Sequence, residues 1–302
     1  MFESLRVGAA RSRGSLDAII VGVFQPDKGA TPSLDPDTTG LDTDGAIQAA
    51  LGRKDCTGES GNLCEAFPGE GGPAPRVIIV GLGQQSALSP GAFRNIAASV
   101  GRRLASTGDA TVGVALDGPL LLAGVDRARA GQAFGEGIGI LGFNFDEYRG
   151  AVSKNGKTRP AITLRARDKA FEKGMARGLG MAESVNVSRR CSATPPNIAT
   201  PMWMAREAQR MAKDNPSLSV TVIRGDALLR EKLAGIATVG RASENEPCLI
   251  RIAYTPTKGA KSKQKPAVLI GKTITYDTGG LSLKINNSMR GMKGDKDGGC
   301  AV

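Results

Sequence analysis

The chain has 302 residues, 40% hydrophobic and 23% charged, a composition that excludes wholesale disorder and fits an ordinary globular protein of about two domains. Its net charge of +11 is uneven: residues 1–150 hold 13 basic and 17 acidic side chains, and residues 151–302 hold 27 and 12. Histidine is absent, which excludes Ser-His, Cys-His and His-ligated metal chemistry within the chain and leaves carboxylates, lysines, thiols and hydroxyls.

In chain order, the run Ala18–Phe24 predicts a buried strand. Residues 25–75 are mostly Gly, Pro, Asp, Ser and Thr, with a short helix over Asp44–Leu51 that Asp44 is placed to cap. Arg76–Gly81 predicts a second buried strand. Ser89-Pro90 opens a helix, Ser89 as N-cap and Pro90 at the first helical position. Phe93, Ile96, Ala97, Val100 and Leu104 lie on one face of it. Further strands are predicted at Ala110–Ala115 and Pro160–Ala166, with a glycine-punctuated helix over Val125–Ile140 between them. A long helix follows over Lys169–Arg190, ended by Thr194-Pro195-Pro196-Asn197 because proline cannot continue a helix. Thr200-Pro201 starts another, running to Lys213. Strands at Val220–Ile223, Leu249–Tyr254 and Ala267–Ile270 flank a helix at Ala227–Leu233 and a lysine-rich solvated loop, Thr255–Lys265. The alternation of strand and helix predicts an α/β fold, divided into an N-terminal α/β domain, 1–155, and a second α/β domain, 156–302.

No apolar run reaches the roughly 18–20 residues of a membrane span. The N-terminus lacks the basic segment and apolar core of a secretory signal. Five cysteines, odd in number and mostly far apart, read as reduced thiols of a cytoplasmic protein. The basic second half reads first as solvated surface, and otherwise as a face for nucleic acid or an acidic partner.

Two motifs are incomplete. Gly81-Leu82-Gly83 follows a strand as a dinucleotide fingerprint does, but lacks the third glycine and the later acidic residue. It reads as a plain strand-to-helix turn. Asp35 to Asp42 starts like a calcium loop, but its twelfth position is Ala46 instead of the bidentate glutamate. It reads as a solvated acidic loop.

The C-terminal stretch carries more chemistry. Lys272 and Asp277 sit at the end of an expected buried strand, Lys284 follows a glycine turn, and Asp295 precedes a small-residue run. Function gathers at the carboxyl ends of strands in open α/β sheets. Two carboxylates and two lysines there are either structural ion pairs or a site.

This stretch, GKTITYDTGGLSLK followed by MKGDKDGGCAV, resembles the signature of the M17 leucyl aminopeptidase family (cytosol aminopeptidases). The family pattern is GKG, then DSGG-x-S-x-K, then M-K-x-D before a small-residue helix. The intervals agree: five residues from Lys272 to Asp277, seven to Lys284, and eighteen from Asp277 to Asp295. Upstream, Phe134-Gly135-Glu136-Gly137, Phe145-Asp146-Glu147-Tyr148 and Arg190–Asn197 resemble other family segments.

The resemblance implies a C-terminal α/β metallopeptidase domain with a mixed sheet, and a metal-dependent aminopeptidase that releases leucine-type N-terminal residues from peptides. It implies two divalent ions, Zn²⁺ or Mn²⁺, with Lys272, Asp277 and Asp295 as ligands. Such a pair shares and activates a water. Lys284 matches the catalytic lysine, held as an ammonium toward the oxyanion. Met292 matches a residue lining the pocket for the substrate side chain. For the full-length parent a hexameric homo-oligomer in the cytoplasm is implied, with peptide substrates and without a membrane or nucleic-acid partner. The alternative is a catalytically inactive, basic binding module on the same scaffold.

This chain departs from the pattern at several positions. Thr273 replaces a glycine and Thr278 a serine. Lys296 and Asp297 bring charge beside Asp295, where the family has less polar residues. Asp297 reads as a helix-start carboxylate and ranks below Asp295 as a ligand. The family's second signature, N-T-D-A-E-G-R-L, which carries the remaining carboxylates, has no match. The expectation is therefore a C-terminally truncated chain whose catalytic domain is incomplete and inactive alone.

Overall fold

The computed structural model describes residues 1–8, 15–153, 158–256 and 265–302. The chain divides into two compact units, Met1–Asn186 and Val187–Val302.

The first unit is built on one sheet. Its elements are β1 (Ser4–Val7), β2 (Ala18–Val23), α1 (Pro36–Thr39), α2 (Ala46–Leu51), β3 (Leu63–Ala66), β4 (Arg76–Gly81), α3 (Pro90–Thr107), β5 (Thr111–Ala115), α4 (Asp117–Leu122), α5 (Arg127–Gly139), β6 (Ala161–Ala166) and α6 (Lys169–Ala193), which runs on into the second unit. The strand order is β1-β6-β5-β2-β4-β3. All neighbours are parallel except β3, which pairs antiparallel with β4. Parallel strands covered on both faces read as unbroken apolar runs, and every residue of β2 is buried. On one face Ile20, Ile78, Val112 and Leu164 pack with Phe93, Ile96, Val100 and Leu104 of α3. On the other, Ile19, Val21, Val77 and Ile79 pack with Ile47 and Leu51 of α2.

The sequence-based division at 155/156 and the compact-unit division differ because β6 pairs with both β1 and β5 and so belongs to the first sheet. The Ser89 cap forms as expected, its Oγ accepting from the Ala92 N–H at 3.3 Å with Pro90 in the first turn. Asp44 is not the α2 N-cap. That position is Gly45, and the Asp42 carboxylate accepts from the Ile47 and Gln48 N–H groups at 2.9 Å each.

The glycines of α5 have a packing role. A Cβ on Gly131 or Gly135 would overlap the Phe171 or Met175 carbonyl oxygen of α6, and Gly174 and Gly178 of α6 face Ala128 and Gln132 in the same way. The two helices thus approach backbone to backbone.

The second unit continues with α7 (Pro201–Lys213), β7 (Leu218–Arg224), α8 (Asp226–Arg230), α9 (Ala234–Gly240), β8 (Cys248–Tyr254), a 3₁₀ turn (Met292–Lys296) and α10 (Asp297–Ala301). Strands β7 and β8 form an antiparallel pair in register from Leu218–Tyr254 to Arg224–Cys248. Thr200 caps α7, accepting from the Trp203 N–H at 3.3 Å. Most of the loop Thr255–Lys265, residues 257–264, lies outside the described residues. The expected buried strand Ala267–Ile270 is a correction. It is irregular, and Val268, Leu269 and Ile270 are 74%, 75% and 91% exposed. A strand needs a laddered neighbour for its backbone groups, and among the described residues none pairs with it.

All five cysteines are free thiols. Burial pushes Cys56 up to about 12 and Cys300 to about 11, which leaves both protonated and inert near neutrality. No helix among the described residues is long and apolar enough to cross a membrane.

Candidate metal centre and catalytic site

The two incomplete motifs serve the backbone. At the end of β4, the Gly83 N–H donates to the Gly58 carbonyl at 2.9 Å and the Gly81 N–H to the Asn62 carbonyl at 2.8 Å. Amides spent in this way cannot cradle a phosphate. In the acidic stretch, Asp35 caps α1 through the Asp37 N–H at 2.9 Å and is buried, so that residue is not solvated as expected.

The lysine–carboxylate cluster is assembled within the second unit. Residues 271–274 run beside the start of α10. The Gly299 N–H donates to the Lys272 carbonyl at 2.8 Å, and the Ile274 N–H donates to the Asp295 carbonyl at 3.3 Å. This approach requires glycine: a Cβ on Gly271 would overlap Gly298, and one on Gly299 would overlap the Thr273 side chain. The small-residue run is therefore what lets Lys272 reach Asp295, Nζ donating to Oδ1 at 2.7 Å.

Asp277 is held by the turn that follows it. Its Oδ1 accepts from the Gly279 N–H at 2.9 Å. Gly279 and Gly280 have φ of +88° and +63°, the left-handed conformations that reverse the chain. The reversal returns Lys284, whose N–H donates to the Thr278 carbonyl at 2.9 Å and whose Nζ lies 3.2 Å from Asp277 Oδ2. The Gly279 N–H and then the Lys284 ammonium hold the Asp277 carboxyl below the usual aspartate range, and the charge of Lys272 adds to this. Lys272, Asp277, Lys284 and Asp295 thus form two linked ion pairs. Met292 is half-buried on the same 3₁₀ turn as Asp295. Asp297 opens α10 and is exposed.

The donor set fits a divalent cation. Asp295 Oδ2 is buried and has no hydrogen-bond partner, although buried carboxylate oxygens are ordinarily satisfied. Two carboxylates and one amine suit Zn²⁺ or Mn²⁺. Among the described residues no three His, Cys, Asp or Glu side chains converge, so any ligand set here depends on the lysine.

One feature of the site was not read from sequence: Lys296 is fully buried and donates to three backbone carbonyls, those of Ser192 at 2.9 Å, Thr194 at 3.3 Å and Lys293 at 2.6 Å. Its charge beside Asp295 was visible in the sequence, but its destination depends on where α6 ends.

Fold and cluster together define a two-unit α/β protein with a lysine–carboxylate site at a glycine turn. The family model for the cytosol aminopeptidase family, catalytic domain, matches residues 186–302, and that for its N-terminal domain matches residues 20–151. The chain belongs to the cytosol aminopeptidase family. The probable cytosol aminopeptidase of Streptomyces avermitilis is 32% identical over 311 residues, covering 97% of this chain and 58% of that protein. The cytosol aminopeptidase of Pseudomonas aeruginosa is 31% identical over 278 residues, covering 91% and 54%. Among solved structures, the bottromycin maturation enzyme BotP in complex with Mn matches with a TM-score of 0.70 at 25% identity, covering 95% of this chain and 55% of that one. A mutant tomato leucine aminopeptidase matches in fold with a TM-score of 0.73 at 24% identity, covering 99% and 58%. The chain therefore spans little more than half the length of these proteins.

Proposed function

We propose that the whole protein is a metal-dependent aminopeptidase that releases leucine-type N-terminal residues from peptides. The observation that carries the reading is the buried, unpartnered Oδ2 of Asp295 beside the Lys272 amine, with Asp277 in the same cluster. The relative solved with Mn supports divalent metal in this fold.

Lys272, Asp277 and Asp295 are the groups of this chain that would hold metal, two Zn²⁺ or Mn²⁺ ions in the complete site. Bound there, the ions supply Lewis acidity and an activated water. As a ligand Lys272 would act as a neutral amine, its proton passing to solvent and its hydrogen bond to Asp295 Oδ1 given up. Asp277 stays ionised, because the Gly279 N–H and Lys284 both favour its charged form. Lys284, now 3.2 Å from Asp277 Oδ2, would serve the carbonyl oxygen of the attacked peptide bond. A preorganised cation there favours the charge that develops on that oxygen. Met292 supplies an adaptable apolar wall for the substrate side chain. We assign the protein to the cytoplasm as a homo-oligomer, hexameric as the family resemblance implies.

The test is hydrolysis of leucine p-nitroanilide by the whole protein after chelation and readdition of Mn²⁺ or Zn²⁺. Activity should return with metal and be abolished in Asp277→Ala. Turnover that survives that substitution overturns the assignment.

A further inference from the structure

Lys296 is a charged side chain with no exposed surface. Burying an ammonium is costly unless its hydrogens are satisfied. An ammonium has three donors, and the carbonyls of Ser192, Thr194 and Lys293 take them. Among the described residues it makes no ion pair, and the Asp297 carboxylate acts on it only at longer range. Two of its acceptors stand at the C-terminal end of α6, where carbonyls lack intrahelical partners and the helix dipole favours a cation. Lys293 adds a weaker bond of the same kind, to the Ala193 carbonyl at 3.4 Å. The turn that carries Asp295 is thereby clamped onto the end of α6.

We propose that Lys296 is a positioning residue for Asp295: its clamp holds Oδ2 in a buried, unpartnered position where a divalent cation supplies the missing partner. The proposal rests on the metallopeptidase reading above. Lys296 is not itself a ligand or a catalytic group, because its three donors are committed and no surface of it reaches substrate. Its effect is on where the neighbouring carboxylate points, and groups that orient a metal ligand typically alter affinity by about 10–100-fold when removed.

The experiment is Mn²⁺ titration of the purified protein by calorimetry, comparing wild type, Asp295→Asn and Lys296→Met, with thermal unfolding of the metal-free proteins alongside. Methionine keeps an unbranched chain of similar length and relieves the cost of burying the charge, while the three carbonyls lose their donor. Wild type should bind Mn²⁺, Asp295→Asn should lose binding, and Lys296→Met should weaken it about 10–100-fold while the metal-free melting temperature stays close to wild type. Unchanged Mn²⁺ affinity in Lys296→Met overturns the positioning role while leaving the metal site intact. Weaker binding that merely tracks a collapse in metal-free stability also overturns it. Wild type and Asp295→Asn that bind alike overturn the metallopeptidase reading itself. Should Lys296→Met fail to fold, hydrogen exchange of wild type carries the test. Mn²⁺ should slow exchange in residues 291–297 and 190–196 together, and slowing confined to 291–297 overturns the clamp.

Discussion

Lys272 and Asp295, 23 positions apart, meet in a 2.7 Å ion pair through Oδ1, while Oδ2 of the same carboxylate is buried without a partner. In the proposed metal site the ammonium and a divalent cation would compete for one carboxylate, since a lysine can ligate only when neutral. Mn²⁺ binding should therefore release about one proton from Lys272 and tighten as pH rises. Calorimetry in two buffers of different ionisation enthalpy reads the proton count. Proton-neutral binding with no pH dependence would remove Lys272 from the proposed ligand set.

Lys284 lies 3.2 Å from Asp277 Oδ2, and its proposed task is in the transition state. A group that stabilises only the transition state affects kcat more than KM. Lys284→Met in the whole protein should lower kcat for leucine p-nitroanilide by about 10²–10³ with little change in KM. A rise in KM at unchanged kcat would instead make Lys284 a ground-state binding group.

The strands β2 and β4 were legible because each is an apolar run that lies inside the sheet, and α3 because cap, proline and apolar face agree. Strand β1 was missed: SLRV is four residues long and acquires its identity only by pairing with Ala161–Leu164 of β6, far along the chain. Strand β3 lay hidden in a Gly- and Pro-rich stretch for the same reason, being ordered by β4. Ala267–Ile270 misled in the opposite sense, since its composition suits a strand but no neighbour ladders with it. At the site, the spacing of Lys272, Asp277, Lys284 and Asp295 was visible. Their two ion pairs and the capping role of Lys296 depend on the close approach of Gly271 to Gly298 and on the end of α6, which no local pattern encodes.

Glu65 on β3 joins three elements. It accepts from Arg103 of α3 at 2.9 Å and from Arg76 of β4 at 3.1 Å. The Arg103 hydrogen bond chiefly holds its carboxyl below the ordinary range, with Arg76 adding to it against the cost of burial. A depressed carboxyl contributes stability above its unfolded value and loses it as pH falls through the folded one. Glu65→Gln should cost roughly 1–2 kcal/mol at pH 7, and the gap should narrow as pH falls below about 4. Urea unfolding at pH 7 and pH 3 measures this. An equal deficit at both pH values would show that packing, and not the charge, accounts for it.

Glycine-to-alanine changes in α5 and α6 should have opposite signs, depending on what each Cβ would meet. In an exposed helix alanine is better than glycine by roughly 0.8–1 kcal/mol, because glycine loses more backbone freedom on folding. Gly180 of α6 has open space where its Cβ would stand, so Gly180→Ala should stabilise by about 0.5–1 kcal/mol. Gly135 of α5 differs only in its surroundings: its Cβ would fall on the Met175 carbonyl, with the Leu179 N–H close by. Those are backbone atoms of a packed helix and cannot rotate away as a flexible side chain would. The helices must separate, which costs about 1–3 kcal/mol and outweighs the gain in helix propensity. Gly135→Ala should therefore destabilise while Gly180→Ala stabilises, as read by denaturant midpoints at constant m-value. Gains in both variants would mean that α5 and α6 lie farther apart than the backbone contact at Gly135 requires.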